Sequence, residues 1–263
     1  MTILQALTLG LVQGITEFLP ISSSGFLIMI PEIFGWDVQS LAFDAFLHLA
    51  TLAAVVFALW PEVRAMVLGW FAPNGKDAPK WRRISLWVVL ATIPVVVVGL
   101  IASDAIEMNL RSVEVVAWSF IIWGVVLYLI DRMAKENIKK LPQVGWKRSL
   151  VIGLSQVIAL IPGTSRSGIT ITAGLAAGLN RQQAAKFSFL LAIPTIAAAG
   201  LLKMFHVFEG ATTLDILPLV VGTVAAFFTA FLTIKVLLSF LKKYTFSELA
   251  VFRIVLGLLL LVL

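Results

Sequence analysis

Apolar runs close to the width of a bilayer restrict this chain more than any other feature. Stretches at roughly 41–60, 84–102, 113–130, 183–205, 217–240 and 247–263 each approach the ~20-residue helix that crosses a hydrocarbon core. Composition agrees: 60% of residues are hydrophobic and 13% charged, with a mean hydropathy of +1.02, whereas a soluble domain carries about 25% charged residues. The chain therefore reads as an all-α integral membrane protein. Its first run is interrupted by Gln5, Gln13 and Glu17 and has no basic residue ahead of it, so it reads as mature protein rather than a cleaved signal. The absence of cysteine excludes disulfides and thiol chemistry. A net charge of +6 with the basic residues clustered in loops reads as an orientation signal and not as a nucleic-acid surface.

Two regions depart from the pattern of simple spans. Residues 1–35 and 148–180 are each a pair of short apolar pieces separated by a stretch containing Pro and Ser. Such broken segments are tolerated at membrane depth only where protein or a wet cavity satisfies the backbone, which predicts two re-entrant helical hairpins beside six transmembrane helices. Loop charge sets the orientation. Arg64, Lys76, Lys80, Arg82 and Arg83 lie in 61–83. Arg132, Lys135, Lys139, Lys140, Lys147 and Arg148 lie in 131–148, and Lys242 and Lys243 mark 241–246. The 103–112 loop has only Arg111 against Asp104 and Glu107, and 206–216 has no Lys or Arg. The positive-inside rule puts the three basic loops in the cytoplasm. The first hairpin then enters from the outer face and the second from the cytoplasm, near Arg181.

Each hairpin is followed by three spans, and an odd number of spans inverts the second copy. The reading is a single membrane domain, 1–263, with repeat 1 about 1–130 and repeat 2 about 148–263, joined by a basic cytoplasmic loop 131–147. The sequence carries the repeat: "GLVQGITEFLPISSSG" at 10–25 aligns with "GLSQVIALIPGTSRSG" at 153–168, matching Gly10, Leu11, Gln13, Ser24 and Gly25 to Gly153, Leu154, Gln156, Ser167 and Gly168. Pro20 and Pro162 miss by one position.

Polar residues concentrate at the two breaks. A helix is expected to start after each, near Gly25 and near Gly168, with the preceding serines as N-caps. Two helix N-termini meeting near the midplane would make an anion site. Arg166 lies in the second break, and a charge at that depth normally faces a cavity. Its planar fork suits phosphate oxygens; the lesser alternative is an ion pair with Glu17, and the two can coexist. Glu17 stands four residues after Gln13 on one helix face. It suits a metal ligand or a general base, or one half of a buried salt bridge, while Gln13 suits an interhelical hydrogen bond. Ser22, Ser23 and Ser24 can cap, bind phosphate or attack phosphorus. His48, mid-span in "FDAFLHLAT", is either a packing residue or a member of the site. A cavity with these groups suits a phosphorylated ligand; the residues alone leave open which ligand, and whether it is cut or carried.

At these motifs the chain resembles the bacterial undecaprenyl-pyrophosphate phosphatase family associated with bacitracin resistance. The stretches "QGITE", "FLPISSSG", "PGTSRSG" and "FDAFLHLATLAAVV" carry the likeness, which extends over essentially the whole chain. It implies removal of the terminal phosphate of undecaprenyl pyrophosphate, regenerating the carrier for cell-wall polymers. It also implies a divalent cation, Mg2+ or Ca2+, and a multi-pass protein of the bacterial inner membrane whose active site opens to the outer face. Carried over by motif, Glu17 with Gln13 is the acidic or metal-side element, Ser23 the nucleophile and Arg166 the phosphate clamp. Ser22, Ser24, Gly25, Thr164, Ser165, Ser167 and Gly168 complete the substrate-binding set, and His48 joins the catalytic set. The expected partners are the polyprenyl pyrophosphate, the bilayer and a second copy of the chain as a homodimer, with no nucleic acid. One departure matters. The family commonly has His after the Ser-x-Gly, and this chain has Phe26. Either a serine attacks, or His48 substitutes, or the chain is a catalytically dead scaffold; the serine route is the expectation. The function of another class that an inverted repeat would suit is a transporter or flippase for an anionic lipid or small anion.

Overall fold

A computed structural model describes residues 1–72, 75, 77–110, 112–135, 140–209 and 215–262. Among these residues every element of regular secondary structure is a helix. Five helices are long and apolar enough to cross a membrane: α3 (Leu41–Ala58), α5 (Ala78–Leu110), α6 (Val113–Met133), α9 (Arg181–Glu209) and α10 (Ile216–Phe240). The protein is thus a multi-pass all-α membrane protein. The remaining helices are shorter: α1 (Ile3–Thr16), α2 (Ser23–Phe34), α4 (Trp60–Phe71), α7 (Trp146–Ser155), α8 (Arg166–Ala176) and α11 (Ser247–Leu260).

Three sequence expectations are adjusted. The 247–263 run forms α11, which has 14 residues; at 1.5 Å per residue it extends about 21 Å, short of a ~30 Å core. The basic 61–83 segment is not a plain loop. Pro61, at the first turn of a helix, lacks the N–H that would continue α3, so α3 ends and α4 begins at once. α5 then starts at Ala78 and runs for 33 residues to Leu110, taking most of the 103–112 loop into the helix. Lys76, Arg111, Lys139 and the 210–214 part of the expected 206–216 loop lie outside the described residues.

Close backbone approach sets which helices pair. A Cβ at Gly10 of α1 would stand 2.3 Å from Gly222 O of α10, and one at Gly153 of α7 would stand 2.3 Å from Ala91 O of α5. Small residues serve this purpose between membrane helices, because lipid supplies no hydrophobic drive to hold them together. α3 packs on α9 and α10, α8 on α9, α6 and α7, and α11 on α6. At one end of the bundle the buried Asp131 of α6 accepts Arg181 Nε of α9 at 2.7 Å. Its second oxygen takes Phe246 N–H at 3.1 Å and Ser247 Oγ at 3.2 Å, fixing the start of α11. These pairings bring the two broken segments against each other.

Candidate active site

Both breaks use the same local device. α1 stops at Thr16, with Glu17 as its C-cap, and the chain turns through Phe18–Ile21 to Ser22. Ser22 has φ 76°, and its hydroxyl accepts Gly25 N–H as α2 begins at Ser23. In the second break Ser165 has φ 72° and its hydroxyl accepts Gly168 N–H as α8 begins at Arg166. These are the two positive-φ non-glycine residues among those described. Backbone in that region is costly for a residue with a Cβ and persists only where surrounding contacts enforce it. Ser24 Oγ lies 3.2 Å from Ser22 Oγ, and Ser167 Oγ lies 3.1 Å from Ser165 Oγ. The caps expected of the serines are therefore present, and Ser23 and Arg166 occupy the first position of their helices.

The carboxylate of Glu17 is the hub. Ser23 Oγ donates to its Oε2 at 2.6 Å and Gln13 Nε2 to the same oxygen at 3.0 Å. Arg166 Nη2 donates to Oε1 at 2.9 Å, and Arg166 Nη1 reaches Ser188 O at 3.4 Å. Arg166 does pair with Glu17, as one reading had it, yet among the described residues three of its five N–H groups remain for another partner. His48 of α3 places Nε2 3.9 Å from Glu17 Oε2. Its Nδ1 is 2.7 Å from Asp44 O; a carbonyl can only accept, so Nδ1 carries a proton and Nε2 is the nitrogen turned to the site.

These groups line one cavity of about 410 Å³. Glu17, Ser22, Ser23, Ser24, His48, Ser165 and Arg166 face it, and Leu27, Ile28, Leu41, Val95, Leu160 and Ile196 form its apolar wall. The other residues singled out in sequence stand behind the cavity. Gln13 supports Glu17 from α1. Gly25 lies against Phe120, where a Cβ would be 2.7 Å from the ring. Thr164 is buried in the break, Ser167 Oγ donates to Leu19 O at 2.9 Å, and Gly168 lies over a guanidinium. Phe26 does not line the cavity; its ring packs 6.1 Å from that of Phe120, among apolar residues of α2, α6 and α11.

Sequence reasoning missed several residues. Gln156 and Thr195 line the cavity, with Thr195 Oγ1 at 3.1 Å from Gln156 Oε1, and Asp44 and Gln39 line it too. Gln156 was visible in the repeat alignment as the partner of Gln13. The largest omission is Arg253, a lone cation in the apolar 247–263 run; the rule that picked out Arg166 applies to it equally.

The model of the family described as "Bacitracin resistance protein BacA" matches residues 6–259. The chain belongs to this family. Among its relatives, a protein named undecaprenyl-diphosphatase 1 from Pseudoalteromonas translucida (strain TAC 125) is 43% identical over 258 residues, covering 98% of this chain and 97% of the relative. An undecaprenyl-diphosphatase from Hahella chejuensis (strain KCTC 2396) is 44% identical over 258 residues, covering 98% and 96%. A third, from Teredinibacter turnerae (strain ATCC 39867 / T7901), is 41% identical over 261 residues, covering 99% and 98%. Both breaks and all the residues lining the cavity in this BacA-family chain fall inside the matched residues, so the cavity belongs to the shared part of the protein.

Proposed function

We infer that this chain is an undecaprenyl-diphosphate phosphatase, hydrolysing the lipid diphosphate to the monophosphate and phosphate and so recycling the carrier for cell-wall synthesis. Beyond the family, one observation carries the reading: the Glu17 carboxylate is shared by the Ser23 hydroxyl and the Arg166 guanidinium at the starts of two helices, in a cavity with an apolar wall. The helix N-termini and Arg166 offer positive charge to a diphosphate, and the apolar wall suits an isoprenoid chain.

The reaction follows from these atoms. Ser23 Oγ attacks the terminal phosphorus and passes its proton to Glu17 Oε2. The bond from phosphorus to the bridging oxygen breaks, and its electron pair leaves with the lipid monophosphate. Water then attacks the phosphoserine; Glu17 returns the proton to the departing Ser23 oxygen, and the proton of the water passes to His48 Nε2 and on to solvent. Phosphoryl transfer has a loose transition state, so positioning and charge neutralisation count for more than nucleophile strength. An imidazole at position 26 is not needed for this route.

A divalent cation fits the oxygens present. Glu17 retains acceptor capacity beyond its three donors, and Gln13 Oε1 is buried with no hydrogen-bond partner among the described residues. No cluster of three or more His, Cys, Asp or Glu stands ready among the described residues, which suits an ion that keeps waters and substrate phosphates as ligands. Glu17 would hold the ion at the cavity wall with Gln13 supporting its carboxylate from behind, and when bound the ion would neutralise charge on the diphosphate.

The fold proposed with this function is six membrane-crossing segments, the sixth being the shorter α11 with the residues that flank it, and two re-entrant hairpins in an inverted repeat, set in the bacterial inner membrane with the cavity opening to the outer face. Supporting it, Ser22 and Ser165, like Gly10 and Gly153, stand the same distance apart in sequence and play the same local parts. Orientation rests on the exposed Arg64, Lys80, Arg82 and Arg83 around α4 and the start of α5.

Phosphate release from polyprenyl diphosphate by detergent-purified protein tests the function. Release without a gradient, lost on chelation and restored by Mg2+ or Ca2+, is expected. Lipid movement across sealed liposomes without phosphate release would assign the chain to transport instead, and no activity of either kind would leave a scaffold.

A further inference from the structure

Arg253, in the middle of α11, is completely buried. No carboxylate pairs with it among the described residues; its two terminal nitrogens are spent on backbone carbonyls, and its buried Nε has no partner among those residues. Nη1 donates to Pro20 O at 3.2 Å. Nη2 reaches Gly163 O and Thr164 O, both at 2.6 Å, and Ser119 O at 3.2 Å, so its two hydrogens are shared among three acceptors. The Phe120 ring lies beside it, 5.6 Å from Cζ to the ring centroid.

The identity of these carbonyls explains why a cation is buried here. Pro20 belongs to the first break, Gly163 and Thr164 to the second, and Ser119 to α6. A broken helix leaves carbonyls without helical partners, and at membrane depth no solvent substitutes for them. One guanidinium serves both breaks at once. Only a planar fork with several donors can reach acceptors on separate segments in this way; an ammonium is a compact point donor. Gly168 makes room for it, because a Cβ there would stand 3.0 Å from Nη1.

The groups held in this way are adjacent to those that react. Pro20 is three residues before Ser23, and Thr164 is two before Arg166. We propose that Arg253 is the positioning residue of this site: by tying Pro20 to Gly163 and Thr164 it sets the separation of the two helix starts, so that the Ser23 hydroxyl and the Arg166 guanidinium converge on one phosphoryl group. Arg253 touches no substrate and acts through the two breaks. Ser167 Oγ to Leu19 O, at 2.9 Å, is a further link between them, but it joins one hydroxyl to one carbonyl and carries no fork. The inference rests on the phosphatase reading for its kinetic consequence and is independent of it for its structural one.

The test uses Arg253→Lys and Arg253→Gln in the full-length protein, each in two forms. The first form gives kcat and KM for polyprenyl diphosphate and a melting temperature in detergent. Misplacing reacting groups by about 1 Å costs on the order of 10²-fold in rate, so kcat should fall by roughly that factor while KM changes little; the melting temperature should fall too, because carbonyls of both breaks lose their donor, and kcat is read well below it. The second form carries cysteines at Phe34 and Ala176, exposed at the far ends of α2 and α8, for spin labelling; the native chain has no cysteine to interfere. The label-to-label distance distribution should broaden or shift in both variants. Wild-type kcat in Arg253→Lys would overturn the proposal, and so would an unchanged distance distribution whatever the activity. If Arg253→Lys fails to purify as a monodisperse protein, Arg253→Gln decides by the same two readings. A wild-type protein that releases no phosphate would remove the phosphatase reading and leave the distance measurement to judge Arg253.

Discussion

Replacing Arg166 by Lys separates charge from shape at the centre of the site. Lys keeps a cation beside Glu17, where Arg166 Nη2 now stands 2.9 Å from Oε1, so the contact that joins the two breaks survives in kind. What is lost is the fork. Arg166 already spends Nη2 on Glu17 and Nη1 on Ser188 O, and its remaining N–H groups keep a fixed geometry for phosphate oxygens. An ammonium committed to Glu17 cannot reproduce that second, oriented contact. A hydrogen bond to a charged group contributes about 1.5–3 kcal/mol. If one such bond exists only as charge moves on the phosphoryl group, the loss is about 10- to 100-fold in kcat, at ~1.4 kcal/mol per tenfold. The assay is phosphate release under saturating lipid diphosphate, with the melting temperature in the same detergent as a control for folding. Near-wild-type kcat in Arg166→Lys would refute the reasoning and leave Arg166 as a simple charge partner of Glu17.

Further predictions follow the same atoms. Ser23→Ala should abolish turnover with little loss of lipid binding, and His48→Ala should slow only the hydrolysis of the phosphoenzyme; a variant pair in which Ser23→Ala is active and His48→Ala is dead would hand the nucleophile's role to His48. Gly10→Ala and Gly153→Ala should each lower thermal stability by ~1–3 kcal/mol or more, because the added methyl meets backbone oxygen at 2.3 Å in both places and neither helix pair can close around it. Gly99→Ala, where a Cβ would meet only Leu160 at 3.8 Å, is the control and should not lower stability. A cysteine at Asn109 should react with an impermeant thiol reagent from outside and one at Gln143 only after permeabilisation; labelling of both from one side would end the inverted-repeat proposal.

Sequence alone determined the features that depend on local chain chemistry. Apolar length fixed the membrane and the five long spans, since a run of that composition has no other stable solvent. Pro and Ser in "FLPISSSG" and "IPGTSRSG" marked both breaks, and the serines marked the helix starts, because capping is satisfied within three residues. The rule that an intramembrane charge marks a cavity or a partner picked out Glu17 and Arg166, and the two do meet. Tertiary packing decided the rest. Whether Gln13 or Gln156 would face the cavity is not written in their shared spacing; it depends on which neighbour each helix lies against. Gln13 is fully buried and hydrogen-bonded to Glu17, whereas Gln156 lines the cavity beside Thr195. The same holds for His48 and Phe26: the imidazole on α3 lines the cavity, and the ring after the first break turns into apolar packing with Phe120. The placement of Arg253 shows the division most clearly. Its acceptors lie 89, 90, 134 and 233 residues away, a distance over which no periodicity or motif operates, and only the closure of α11 on α6 and both breaks brings the guanidinium to the carbonyls it satisfies.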